Sequence, residues 1–168
     1  MKKPRIAIDL DETLGATITD STSIIGFRLR DGCLELLKQL DSKYHLVLWT
    51  VAYRSYLNKV LAFGLKDYFR ETYSWDEIKQ SWKDIRQINV EFLIDDEEYH
   101  REAAKKDGLE SHYLIVPAYG SPEDEKHPLG WVQQIKEKLL IDDQVFSCAQ
   151  TPKVCYKKQL QGFVIITD

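Results

Sequence analysis

The chain has 168 residues, of which 43% are hydrophobic and 30% charged, and its formal net charge is -4 at pH 7. That size and balance fit one soluble globular domain, long enough to bury a core without disulfides or structural metals. The longest apolar runs, such as Leu46-Val47-Leu48-Trp49, are far too short to cross a bilayer, so no membrane span is expected. The negative balance weighs against a general nucleic-acid binder while leaving nucleic acid open as a substrate. Cys33, Cys148 and Cys155 stand at no zinc-like spacing, so they read as free thiols in a reducing compartment, which implies the cytoplasm. The basic start, Met1-Lys2-Lys3-Pro4-Arg5, runs into Asp9, Asp11 and Glu12 too soon to serve as a secretory signal.

Residues 5–10 form a short Ile-rich run that breaks into Asp11-Glu12-Thr13, as a buried strand feeding a loop would. A Thr- and Ser-rich loop is expected from Gly15 to Phe27. From Asp31, the residues Cys33, Leu36, Leu37 and Leu40 share one face of a helix that runs to about Ser42. His45-Leu46-Val47-Leu48-Trp49 then reads as a second buried strand ending at Thr50. Tyr53, Tyr56, Leu57, Val60 and Leu61 recur at helical spacing, with Gly64 as a natural stop. Further strands are predicted at 72–75, 91–94 and 112–116, the last two separated by a charged helix that ends near Gly108. Trp131, Ile135 and Leu139 suggest one last helix. Strands alternating with helices predict a Rossmann-like α/β sandwich of three layers around a mostly parallel sheet of about five strands. The whole chain, 1–168, is read as one domain with a core at about 5–141. Residues 142–168 form an extension whose Phe163-Val164-Ile165-Ile166-Thr167 suits a hairpin or edge strand.

In such sheets, sites form beyond the carboxyl ends of the strands. Asp9, Thr50 and Asp95 each fall at or just past a predicted strand end. Two aspartates two residues apart repel, by roughly 4 kcal/mol at about 4 Å under an effective dielectric near 20. A divalent cation would remove that cost, and up to four carboxylates, if Asp95 and Asp96 converge with Asp9 and Asp11, are hard oxygen donors suited to Mg²⁺. Turn formation is the competing explanation for any lone pair of this kind. Thr50 could equally cap the next helix, and Lys83 competes with Lys79 one turn earlier. The string Leu93-Ile94-Asp95-Asp96 recurs as Leu140-Ile141-Asp142-Asp143, but the second copy follows a predicted helix, where acidic groups oppose the macrodipole. The metal is therefore assigned to the first copy. His100 and Arg101 are expected on a solvated helix face.

Ile6-Ala7-Ile8-Asp9-Leu10-Asp11-Glu12-Thr13-Leu14 resembles the first motif of the haloacid dehalogenase superfamily of phosphohydrolases. Its form is most similar to the branch of small C-terminal-domain phosphatases and their NLI-interacting-factor relatives. Leu48-Trp49-Thr50-Val51-Ala52 resembles the second motif of that branch, Trp82-Lys83-Asp84-Ile85 its lysine motif and Phe92-Leu93-Ile94-Asp95-Asp96 its acidic motif. All stand in family order across residues 5–116. The resemblance implies that Asp9 is the nucleophile of an aspartyl-phosphate mechanism and Asp11 the general acid and base. It implies Mg²⁺ held by Asp9, Asp96 and the backbone carbonyl of Asp11, with Asp95 joining the metal shell or positioning Lys83. Thr50 and Lys83 would bind the phosphoryl oxygens.

Members of this superfamily with small substrates carry a cap domain, for which neither the interval Thr13 to Thr50 nor Thr50 to Lys83 leaves room. A capless, open site implies a bulky phosphorylated substrate: a phosphoprotein, a nucleic-acid end or a glycan-linked phosphate. Arg30-Asp31-Gly32 departs from the Arg-Pro-Gly of the branch, and Glu97-Glu98 stands where Ser-Pro is common. Two rivals share the fold. A receiver-like phosphoacceptor would place its lysine last, whereas here Asp95-Asp96 follows Lys83; an idle binding module would not need every catalytic residue type.

Overall fold

Alternation of side chains along the central strands decides the layers. In β1 (Arg5–Ile8), Ile6 and Ile8 point to one face of the sheet and Ala7 to the other; in β4 (His45–Trp49), Leu46 and Leu48 oppose Val47 and Trp49. Because both sets are buried, helices must cover both faces, which is the condition for a parallel sheet. The computed structural model describes residues 2–79 and 81–139, together with the backbone of Phe163–Ile165. The five-stranded sheet has the order β5-β4-β1-β6-β7, with β5 Glu71–Tyr73, β6 Phe92–Asp95 and β7 Tyr113–Ile115, and every pairing is parallel. The expected α/β class and strand number are both present.

On the first face, α1 (Cys33–Lys43), α2 (Arg54–Val60) and α5 (Gly130–Leu139) bury Leu36, Leu37, Leu40, Leu57, Val60, Trp131 and Ile135 against Ile6, Ile8, Leu46 and Leu48. Burying a side chain of this size is worth about 1.5–3 kcal/mol. On the second face, α3 (Glu98–Lys105) and the segment around Ile85, Ile88 and Val90 cover Ala7, Val47, Trp49 and Leu93. Gly64, at φ 107, closes the turn after α2, where a side chain would be strained.

Residues 15–27 are not the loop that their Thr and Ser content suggested. β2 (Gly15–Thr19) and β3 (Ile24–Leu29) form an antiparallel hairpin, registered Gly15↔Leu29 to Ile18↔Gly26. Asp20 makes the turn, its Oδ1 accepting the backbone N–H groups of Thr22 at 2.8 Å and Ser23 at 2.7 Å. Gly15 is required by close approach, since a Cβ there would lie 2.0 Å from the Arg28 carbonyl oxygen. β8 (Phe163–Ile165) pairs antiparallel with β3, Gly26↔Ile165 to Arg28↔Phe163. The second Leu-Ile-Asp-Asp string lies outside the described residues. A short helix that the sequence reading did not foresee, α4 (Pro122–Lys126), follows β7 and is capped by the Ser121 hydroxyl. Among the described residues no helix is long and apolar enough to cross a membrane.

Candidate active site

Parallel pairing brings the strand ends together. Asp9 leaves β1 with its N–H donating to the Ile94 carbonyl of β6 at 2.9 Å, one residue before Asp95. Thr50 leaves β4 with its N–H on the Tyr73 carbonyl of β5 at 3.0 Å. After Asp9 the chain turns sharply: Glu12 takes φ 59, its N–H reaches the Gly15 carbonyl at 2.8 Å, and its carbonyl accepts from Tyr119 N–H at 2.6 Å. A left-handed conformation is uncommon for a residue with a Cβ, and hydrogen bonds to Gly15 and Tyr119 hold it here.

Lys83 lies at the centre. Its ammonium donates to Asp9 Oδ1 and, at 2.7 Å, to Asp95 Oδ2, and all three residues are buried. Lys79, its rival in the sequence, is exposed. Carboxylate oxygens of Asp9, Asp95 and Asp96 fall within 4.8 Å of one another. Asp96 is held by the Thr13 hydroxyl, which donates to its Oδ1 at 2.7 Å. The side chain of Asp11 is not in this group; it lines the same cleft and accepts a hydrogen bond from the Tyr56 hydroxyl.

One ammonium facing three carboxylates leaves negative charge in excess. Burial pushes Asp9 well above the ordinary carboxylate range, with Lys83 opposing and Asp95 and Asp96 adding to the rise. Burial, with repulsion from Asp95, lifts Asp96 to about 6, and burial raises Asp11. For Lys83, burial favours the neutral amine, but the charges of Asp9 and Asp95 outweigh it and hold the group above its ordinary value. Hard oxygen donors crowded to this degree fit a hard metal cation, the described residues offering Asp9, Asp95 and Asp96 as ligands.

Three supports of the site escaped the sequence reading. His100 is not solvated: it is 5% exposed, its Nδ1 accepts the Lys83 backbone N–H at 3.2 Å, and its Nε2 lies 4.0 Å from Asp95 Oδ2. Burial lowers its pKa. Its spacing of four from Ala104, the other buried residue of α3, is the signal that it faces inward. Arg101 is on the outer surface as expected, paired with Glu98. The Tyr113 hydroxyl donates to the Lys83 carbonyl at 2.8 Å, so the Lys83 backbone is clamped on both sides. Arg30 is buried, pairs with Asp124 at 2.6 Å and donates to the Thr13 carbonyl at 3.3 Å, bracing the loop that carries Thr13. The cleft above Asp9 has a volume of about 640 Å³, with Val51, Trp75 and Tyr99 at its walls.

The family model for NLI interacting factor-like phosphatase matches residues 4–145. The chain therefore belongs to this phosphatase family, of haloacid dehalogenase type. No curated protein matches the chain. Among solved structures, it is similar to the fission yeast RNA polymerase II CTD phosphatase Fcp1 carrying R271A and bound to beryllium fluoride. That likeness has a TM-score of 0.55 and 14% identity over 82% of this chain and 50% of the other. A second structure, of Fcp1 described as an essential RNA polymerase II CTD phosphatase, also gives a TM-score of 0.55 and 14% identity, over 89% of this chain and 55% of the other. The chain thus spans about half the length of these relatives, and at this identity the likeness establishes the fold. Asp9, Thr50, Lys83 and the Asp95-Asp96 pair all lie within the matched residues.

Proposed function

We propose that this chain is a Mg²⁺-dependent phosphomonoester hydrolase working through an aspartyl-phosphate on Asp9. The observation that carries the reading is the convergence of Asp9, Lys83, Asp95 and Asp96 at the floor of one open cleft, in a chain of a phosphatase family. An Asp9 carboxylate oxygen attacks phosphorus as the bond to the leaving oxygen breaks, and Asp11 gives that oxygen its proton. A water, losing a proton to Asp11, then attacks phosphorus; the bond to Asp9 breaks and inorganic phosphate leaves with both residues restored. The Lys83 ammonium and the Thr50 hydroxyl, both lining the cleft, would hold the phosphoryl oxygens where charge develops. Asp9, Asp96 and the Asp11 carbonyl would hold the cation, which when bound offsets the crowded carboxylates and polarises the phosphoryl group. Asp95 positions Lys83, to which it is bonded.

The cleft is lined by strand ends and the turns that follow them, and among the described residues no separate cap stands over it, which favours a phosphate carried on a bulky or macromolecular substrate. The buried free thiol of Cys33 fits a cytoplasmic location. Hydrolysis of p-nitrophenyl phosphate tests the reading. Turnover should require Mg²⁺ and disappear in Asp9→Asn. Uptake of a single phosphoryl group without turnover would indicate an acceptor switch instead, and equal activity with the metal chelated would sink the mechanism.

A further inference from the structure

Asp11 has to meet two conflicting demands in the proposed reaction. It sits two residues from Asp9 beside three other carboxylates that attract a cation, yet its own carboxyl must stay free to give a proton to the leaving oxygen and take one from water. Among the described residues its oxygens are outside the Asp9, Asp95 and Asp96 group. A specific contact accounts for this. Tyr56, in the first turn of α2, donates its hydroxyl to Asp11 Oδ1 across 45 residues of sequence. The Thr17 side chain of β2 stands beside the phenol, where its hydrogen bonding opposes the rise that burial and Asp11 impose on the Tyr56 pKa. Tyr56 is half-buried and packs against the main core, so its ring direction is set by packing as well as by the hydrogen bonds. A donor on Oδ1 orients the carboxyl about its terminal torsion and leaves Oδ2 for the proton in transit.

We infer that Tyr56, oriented by Thr17, is a positioning residue that holds the Asp11 carboxyl out of the metal shell and aimed at the leaving-group oxygen. The inference rests on the phosphatase reading above and adds a residue to it. The hairpin acquires a role as well, since β2 carries the hydroxyl that sets Tyr56.

Leaving-group dependence separates this role from a structural one. Nitrophenolate departs without a proton, whereas the alkoxide of an alkyl phosphate such as glycerol phosphate needs one. In Tyr56→Phe, kcat on the alkyl ester should fall about tenfold more than kcat on p-nitrophenyl phosphate, a part of the roughly 10²–10⁴ that general acid catalysis supplies. In an Asp11→Asn background the same substitution should add no selective loss, because the group it positions is gone. Thr17→Val, which keeps the Tyr56 to Asp11 contact, should move the same ratio in the same direction by less, and it carries the test if Tyr56→Phe does not fold. Equal losses on the two esters, or a selective loss that persists without Asp11, would overturn the assignment. Wild-type chain that turns over neither ester would instead remove the phosphatase reading, and this inference with it.

Discussion

Two clusters of buried charge flank the turn from Asp9 to Leu14, and they are built differently. On one side a single ammonium, Lys83, faces three carboxylates at the floor of a cleft. On the other, Arg30 faces Asp124 with side-chain exposures of 1% and 6%. Asp124 Oδ1 accepts from both Nε and Nη2, its Oδ2 accepts the Gly120 N–H at 2.9 Å, and the guanidinium stacks 4.7 Å from the Trp131 ring. The second cluster balances one cation against one anion, and its remaining hydrogen bonds go to backbone groups of Gly120 and Thr13. The first carries surplus charge that the protein alone does not neutralise, and it opens to solvent. Burial of charge is thus shared by both regions, and the charge balance separates a cluster able to hold a cation from a brace that needs none.

The contrast can be broken by substitution. The largest effect is expected from Asp9→Asn: turnover of an aryl phosphate should fall at least about a thousandfold, as for loss of a nucleophile, with no fall in thermal midpoint. A loss of stability as large as the loss of activity would make the first cluster a brace too. Arg30→Ala should do the reverse, destabilising the fold by about 3–5 kcal/mol in urea unfolding because Asp124 is left buried and unpaired. Retention of full stability would show that Asp124 reaches solvent.

The surplus charge also predicts a pH response. Asp96 has its pKa raised to about 6 in the folded chain, so between about pH 4 and about pH 6 the native state holds a proton that the unfolded state has lost. Stability without metal should therefore fall as pH rises through that window. Millimolar Mg²⁺ should raise the thermal midpoint near neutrality more than near pH 5, and Asp96→Asn should shrink the difference, Asp9 supplying what remains. A midpoint indifferent to Mg²⁺ at both pH values would argue against a cation site. Smaller effects distinguish two neighbours on α3. His100→Ala removes the acceptor of the Lys83 N–H and should cost about 1–3 kcal/mol together with part of kcat. Arg101→Ala breaks a surface pair and should cost under about 0.5 kcal/mol, with turnover unchanged.

The central strands were legible because a strand buried on both faces is a short continuous apolar run, and residues 5–10, 45–49, 91–94 and 112–116 are of that kind. The hairpin was not, since Thr17 and Thr19 in β2 and Thr22 and Ser23 in the turn carry little apolar alternation, and what makes β2 and β3 strands is pairing across the Asp20 turn. His100 was misplaced for a related reason. Glu98, Arg101, Glu102 and Lys105 make α3 look solvated throughout, and against them the single spacing of four from His100 to Ala104 is a weak signal that packing over β6 and β7 turns into an inner face.

From sequence alone came the residue types of the site and the strand ends on which they sit, because both are local properties: a side chain's chemistry, and the break from apolar run to polar turn. Tertiary structure decided which lysine enters, which groups share it, and what holds each carboxylate. Lys83 and Lys79 differ little in local context, yet one is clamped through its backbone by His100 and Tyr113 and the other is exposed. Asp9 and Asp11 look equivalent as letters, but one meets Lys83 and the other Tyr56, partners 74 and 45 residues away. Electrostatic environment depends on distances through space, and the fold sets those distances by laying strand ends side by side.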